Sequence, residues 1–366
     1  MKRRDFVRGA AVAGVAAAGA SSLAAPAIAQ GVRELKMVTT WPKNFPGLGT
    51  GAQRAADRIT AMSDGQLTVK LFAAGELVPP FESFDAVSNG TADLYHGAEY
   101  YWQGKSKAFN FFAAVPFGFT ASEMDSWIHF GGGQELWDKL SAQFSIKPFL
   151  AGNTGVQMGG WFNKEINQLE DYKGLKIRMP GLGGEVLRQI GAAAVSLPGG
   201  EIFPSLQSGA IDATEWVGPW NDLAFGFYKV VKYYYYPGFH EPGTALGVGM
   251  NLKVWESLSK SHQEIVSNAM MAENNATLAE FNARNNDSLN TLIDKHGVLL
   301  RKFDDKTLNA IGEASGDVVS AVANEGGITK EVFDSFMTFR KKAIAWSKIS
   351  DQAYWNARIL PFKYGN

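Results

Sequence analysis

A chain that leaves the cytoplasm without a single cysteine must be held together by core burial alone, and this 366-residue sequence is such a chain. Lys2, Arg3, Arg4 and Arg8 form a basic n-region. An Ala/Gly/Val stretch follows, and Ala27-Ile28-Ala29 is a small-residue cleavage site that leaves Gln30 as the mature start. Residues 1–29 are therefore read as an export signal. The order Arg3-Arg4-Asp5-Phe6-Val7, ahead of an h-region rich in Ala and Gly rather than Leu, reads as the twin-arginine type. An ordinary secretory signal that carries two arginines is the alternative. With no disulfides, stability must come from apolar area, and about 335 mature residues are enough for two domain-sized cores.

Charge narrows the partners. Removing residues 1–29 takes away four basic residues and one acidic one, so the net charge goes from −1 to −4. That mild acidity argues against nucleic acid and against an anionic membrane surface. The remainder contains no apolar run of about 18 residues, the length of a membrane span.

The N-terminal half alternates in period. Glu34–Thr40 and Gln66–Phe72 read as strands, Gly51–Met62 and Phe81–Asn89 as helices, and a further strand starts near Thr91. This β-α-β-α order predicts an α/β fold with a partly parallel sheet. One pattern occurs twice, about 120 residues apart. Val87-Ser-Asn-Gly90-Thr-Ala-Asp93 and Leu206-Gln-Ser-Gly209-Ala-Ile-Asp212 each place a helix end, a glycine suited to the left-handed cap, two residues and an Asp. The echo predicts two α/β lobes built to one plan, with a cleft between them. The divisions expected are lobe I over 30–150 with a return segment at approximately 240–260, lobe II over 151–240, and connecting and C-terminal helices over 261–366. Ser261–Lys295, Asp305–Ala323 and Glu331–Lys348 are helical in period, and Val298–Lys302 is compatible with a strand.

Residue content removes several chemistries. His96, His129, His240, His262 and His296 include no pair at the i,i+4 spacing of a helical zinc site, and there is no G-x-S-x-G elbow. Gly181-Leu-Gly-Gly184 lacks the spacing of a dinucleotide loop and has no P-loop lysine after it. What remains is a set suited to a small anion. Gly174–Gly181 reads as a short strand that brings Arg178 to its C-terminal end, where ligands of α/β sheets gather. A guanidinium there grips a carboxylate with two parallel hydrogen bonds; a salt-bridged surface arginine is the bland alternative. Asp212–Trp220 sets Glu215 among aromatics, and Phe239-His-Glu241-Pro-Gly carries a second such Glu. Asn153–Trp161 reads as a Gly-rich strand with two amides, Asn153 and Gln157. The oxygen donors among these suit a hard cation such as sodium, calcium or magnesium.

At these residues the chain resembles the extracytoplasmic solute receptors of tripartite ATP-independent periplasmic (TRAP) transporters, in particular the branch for 2-oxoacids such as pyruvate and the related lactate binders. The most specific segments are Gly152–Ile166, Gly174–Gly181 and Thr214–Gly226. The resemblance implies a periplasmic receptor with two α/β lobes, a hinge and a long helix that spans both. It assigns the ligand carboxylate to Arg178, and a sodium or calcium ion to Gln157, Glu215, the Trp216 carbonyl and Glu241. Asn153 and Tyr101 are then hydrogen-bond donors, and Trp216, Trp220 and Phe117 pocket walls. It also implies a membrane partner and a homodimer that exchanges a C-terminal helix, for which Trp346–Pro361 is suitably amphipathic. Two other readings stay open. A secreted metal-dependent carboxylate-processing enzyme needs an acid or base, for which His240 is the obvious choice. A sugar receptor would use the 10 Trp, 11 Tyr and 24 Phe, but does not require a buried arginine.

Overall fold

The computed structural model describes residues 31–365, so the export signal lies outside the described residues. Two sheets carry the fold, and each is built around one β-α-β-α-β unit. In the first lobe the unit is β1 (Arg33–Thr39), α1 (Gly49–Met62), β2 (Leu67–Phe72), α2 (Ser83–Ser88) and β3 (Leu94–Gly97). Its strands are parallel and lie in the order β2-β1-β3. Helix α1 buries Ala52, Ala55, Ala56 and Ile59, the i, i+3, i+4, i+7 stripe. Leu35 and Met37 of β1 join Ala55 and Ile59 in one apolar cluster.

After helices α3 (Ala121–Phe130) and α4 (Gly133–Ala142) comes β4 (Ile146–Asn153). The chain then crosses to the second lobe through β5 (Gly160–Phe162) and builds β6 (Lys176–Arg178), α5 (Gly181–Gln189), β7 (Ala193–Val195), α6 (Gly199–Gln207) and β8 (Ala213–Thr214). The parallel order is β7-β6-β8, the same as in the first lobe.

The repeated Gly–x–x–Asp motif sits at the same place in both units. Gly90 and Gly209 take left-handed φ of 84° and 72° just past the second helix. The Asp93 carboxylate accepts from the Lys36 amide at 2.7 Å, and the Asp212 carboxylate accepts from the Lys176 amide at 3.1 Å. Each Asp amide in turn donates to the carbonyl of the same lysine. The motif thus pins the third strand of each unit to the first.

The chain returns to the first lobe by way of α7 (Pro219–Phe225), β9 (Tyr233–Tyr236), β10 (Ala245–Asn251) and the short α8 (Leu252–Glu256). Strand β10 is antiparallel to both β3 and β4, completing the sheet β2-β1-β3-β10-β4. Helix α9 (Lys260–His296) has 37 residues, about 55 Å of helix. Its start is capped by the Ser259 hydroxyl and its end by Gly297 in the left-handed region. It packs on both lobes. Glu273 binds Arg54 and Arg58 of α1, while Phe281 and Asn285 meet Trp220 of α7. Strand β11 (Leu299–Lys302) then adds to the second sheet beside β9. Of the last helices, α10 (Asp305–Val322) packs on α5, and α11 (Gly327–Ser347) packs on α3 and α4. Helix α12 (Asp351–Arg358) is exposed along its length. No helix among the described residues is long and apolar enough to cross a membrane.

One expectation is corrected. Asn153–Trp161 is not a single strand: β4 ends at Asn153, and 154–159 form a loop before β5. Gly155 and Gly160 have φ of 68° and 125°, and the Asn153 side chain accepts from the Gly155 amide, a turn that extended backbone does not make.

Candidate functional site

Because β6 is flanked on both sides by parallel neighbours, its C-terminal edge is where Arg178 must leave the sheet. Arg178 is 1% exposed. Its Nε donates to the Leu197 carbonyl at 3.2 Å, and one terminal nitrogen donates to the Glu215 carbonyl at 3.2 Å and to the Glu215 carboxylate. The other donates to the Tyr101 hydroxyl, 3.4 Å away on the first lobe. The Trp216 indole lies 5.0 Å from the guanidinium carbon, within cation–π range. Burial works against the charge, but the Glu215 carboxylate, with Tyr101, Tyr100 and Glu241, more than restores it, so Arg178 stays charged. A buried guanidinium held this way is orientated before any ligand arrives.

Glu215 follows β8 directly and is likewise 1% exposed. One carboxylate oxygen takes Arg178; the other, Oε2, has no hydrogen-bond donor. Glu241 lies beyond β9 in a turn and is bonded by the Thr244 hydroxyl. Its pKa is pushed up, first by burial and then by the neighbouring Glu215 charge. Gln157, in the loop between the lobes, donates to Thr154 at 3.1 Å and Thr244 at 2.9 Å, so its amide nitrogen is spent and its Oε1 is left without a donor. His240 Nε2 stands 3.4 Å from Glu215 Oε2, and single atoms of Glu215, His240 and Glu241 fall within 4.8 Å of one another.

Gln157 Oε1 and Glu215 Oε2, two buried acceptors without donors, and the Glu241 carboxylate, which Glu215 repels, form an arrangement that a cation would satisfy. No hydrogen bond reaches the Trp216 carbonyl among the described residues either. Oxygen donors dominate the set, which fits sodium or calcium rather than a thiophilic metal.

A small cavity adjoins these groups. Tyr101, Gln157, Thr154 and Thr244 give it a polar side; Trp41, Leu48, Trp216 and Leu246 give it an apolar one. About 10 Å³ is open to the centre of a water molecule, room for about one water.

The structure brings Arg178, Gln157, Glu215, Trp216, Glu241 and Tyr101 together and leaves two expected residues, Phe117 and Trp220, outside. Phe117 has φ of 54°, stacks on Phe239, and lines a separate groove with Gly312 and Arg340. Trp220 lies against Phe281 and under Arg284, on the α9 side of α7. Asn153 accepts from the Gly155 amide through its side-chain oxygen, and its Nδ2 is a buried donor without an acceptor, at the start of the loop that carries Thr154 and Gln157.

Sequence reasoning missed Tyr100, Thr154, Thr244, Trp41 and Leu48, whose types carry no chemical signal of their own. His240 was given a role there only as the acid or base of the enzyme alternative; its place beside Glu215 joins distant segments, which no local pattern records.

Comparison with known proteins agrees in kind. The family profile described as bacterial extracellular solute-binding protein, family 7, matches residues 37–325. The chain is 39% identical over 360 residues to the monocarboxylate 2-oxoacid-binding periplasmic protein of Nostoc sp., covering 97% of this chain and 98% of that one. A TRAP periplasmic solute-binding protein from Pseudoalteromonas atlantica, solved with bound sodium and pyruvate, is 38% identical with a TM-score of 0.87, over 91% of this chain and 100% of that chain. A TRAP transporter solute-binding protein from Bordetella bronchiseptica is 33% identical with a TM-score of 0.87, over 89% of this chain and 97% of that chain. It is described as a mixed-occupancy dimer, with calcium and picolinate in one active site and the other apo.

Proposed function

The chain belongs to family 7 of the bacterial extracellular solute-binding proteins, and from that premise we propose that it is the periplasmic receptor of a TRAP transporter for a small 2-oxo- or 2-hydroxymonocarboxylate of the pyruvate and lactate class. The observation that carries this reading is the buried, charged Arg178 beside a cluster of oxygen acceptors with no donors of their own. Arg178 holds the ligand carboxylate, and Tyr101 closes on the same group from the first lobe. Gln157 Oε1, Glu215, the Trp216 carbonyl and Glu241 would hold a sodium or calcium ion. When bound, that ion supplies the positive charge that lets two glutamates and a ligand carboxylate share one buried site. Two Glu and the ligand give −3 and Arg178 gives +1, so a divalent ion neutralises the site and sodium leaves −1.

The protein acts as a receptor and leaves its ligand unchanged. An enzyme would need His240 as the acid or base, and turnover of pyruvate abolished by His240→Ala would revive that reading. The twin-arginine signal takes the chain to the periplasm, where its partners are the membrane subunits of the transporter. Residues 30–150 and approximately 240–260 serve as one lobe and 151–240 as the other, with 261–366 as connecting and C-terminal helices. A homodimer uses α12 and the residue after it, where Tyr354, Trp355 and Ile359 are exposed.

The test is calorimetric titration with pyruvate and with a neutral sugar of the wild type and of Arg178→Ala. Pyruvate binding that is lost in the variant supports the proposal. Sugar binding that survives Arg178→Ala defeats it.

A further inference from the structure

Between β1 and α1, the segment 42–47 reaches across to the second lobe and engages α7 and Trp216 at the edge of the ligand cavity. The segment is folded on itself. Phe45 donates its amide to the Pro42 carbonyl at 3.1 Å, and Thr50 donates its amide to the Phe45 carbonyl at 3.0 Å. Gly47 (φ 69°) donates its amide to the Thr50 hydroxyl at 3.0 Å. Pro42 and Pro46 fix two further φ angles. A turn braced in this way loses little conformational freedom on docking.

Its docking contacts are specific. The Phe45 ring lies 4.3 Å from Phe225 of α7 and 6.2 Å, edge-on, from Trp216. The Asn221 side chain, fully buried, donates to the Pro46 carbonyl at 3.0 Å. At Gly47 an added Cβ would stand 2.8 Å from Trp220 and from Phe281, so the backbone there touches α7 and α9 at once.

The position of this contact gives it a consequence. Trp41 and Leu48, which bracket the segment, both line the ligand cavity; so do Trp216 and Val217, which lead into α7. Seating Phe45 and closing the cavity are therefore one movement. We propose that the 42–47 turn is a clasp in which Phe45 and Asn221 act as positioning residues: they hold the lobes shut over the bound ligand through Trp216 and set its rate of release. This rests on the receptor function proposed above. Contacts made only in the closed state act on dissociation rather than on encounter.

The cysteine-free chain allows a clean test. Spin labels on Ala61→Cys and Gln207→Cys, one exposed position on each lobe, report the distance between lobes in wild type, Phe45→Ala, Asn221→Ala and Asn221→Asp. The pyruvate dependence of tryptophan fluorescence, followed by stopped flow with sodium and calcium present, separates association from release. Phe45→Ala and Asn221→Ala should lengthen the mean distance and speed release by about tenfold, in line with one apolar plug or one buried hydrogen bond, with association unchanged. Asn221→Asp should exceed Asn221→Ala, because it sets a carboxylate against the Pro46 carbonyl. Phe45→Leu, which keeps an apolar plug, should recover most of the effect and replaces Phe45→Ala if that variant does not fold. Wild-type distances and release rates in all variants overturn the clasp. If wild type ignores pyruvate, the receptor reading fails, and the clasp is then decided by whether the variants lengthen the distance relative to wild type.

Discussion

Arg178 shows at the scale of one residue why a guanidinium and an ammonium are not equivalent. It makes four separate donations from one buried position, to two carbonyls, a carboxylate and a hydroxyl. Lysine has three donors on a point charge and no planar fork. Arg178→Lys should therefore weaken pyruvate binding by about 3 kcal/mol, roughly a hundredfold, as measured by calorimetry. Retained affinity would contradict the role given to it. Two of the buried carboxyls off the ligand site, Glu99 and Asp222, have raised pKa values. Glu99, bonded by the Tyr95 hydroxyl at 2.8 Å, is pushed by burial to about 8, and burial pushes Asp222 to about 7. Both folded values lie above the unfolded ones, so their contribution to stability is full below about pH 4 and is lost as pH rises through 7 to 8. The protein should melt at a lower temperature at pH 8 than at pH 5, and Glu99→Gln should flatten that slope. The reverse slope in wild type would count against it. At this scale the sequence was most readable where a charge sat in an apolar setting, as with Arg178, Glu215 and Glu241. It was least readable for aromatics: Phe117 and Trp220 have the composition of pocket walls, yet their rings go to other neighbours because of backbone angle and helix face.

At the scale of elements, the two β-α-β-α-β units explain how the site is assembled. Parallel pairing puts the C-terminal ends of β6 and β8 side by side, so Arg178 and Glu215 meet although 37 positions apart. The Asp–lysine backbone clamp sets that register, and its twin sets β1 against β3. Asp212→Ala should cost about 1 kcal/mol of stability by removing one side-chain cap. It should weaken pyruvate binding as well, because β8 carries Glu215. Asp93→Ala should cost a similar amount of stability with a smaller effect on binding. Equal losses of affinity in both would mean that the register of β8 is not what positions Glu215. The echo was visible because a left-handed glycine and a clamping Asp are local requirements. The loop at 154–159 was not, since its path is set by the distance between two sheets, which no local pattern records.

On the scale of the whole molecule, α9 packs against both lobes at once. Its Glu273, fully buried, is bonded by Arg54, Arg58 and Thr277, which anchors the helix firmly to the first lobe. The far C-terminus has the opposite character: Trp346, Ile349, Tyr354 and Ile359 are each more than 60% exposed, an apolar surface that a second copy would cover. Deleting residues 351–366 should give a monomer by light scattering with pyruvate affinity unchanged; a dimer that survives the deletion would place the interface elsewhere. In the proposed receptor, one buried arginine and one cation share the ligand carboxylate. Calorimetric titration of chelator-treated protein with pyruvate, in sodium-free buffer and again after adding sodium or calcium, tests it most directly. Binding that requires one of those ions is the predicted result; equal binding in the ion-free protein would contradict it.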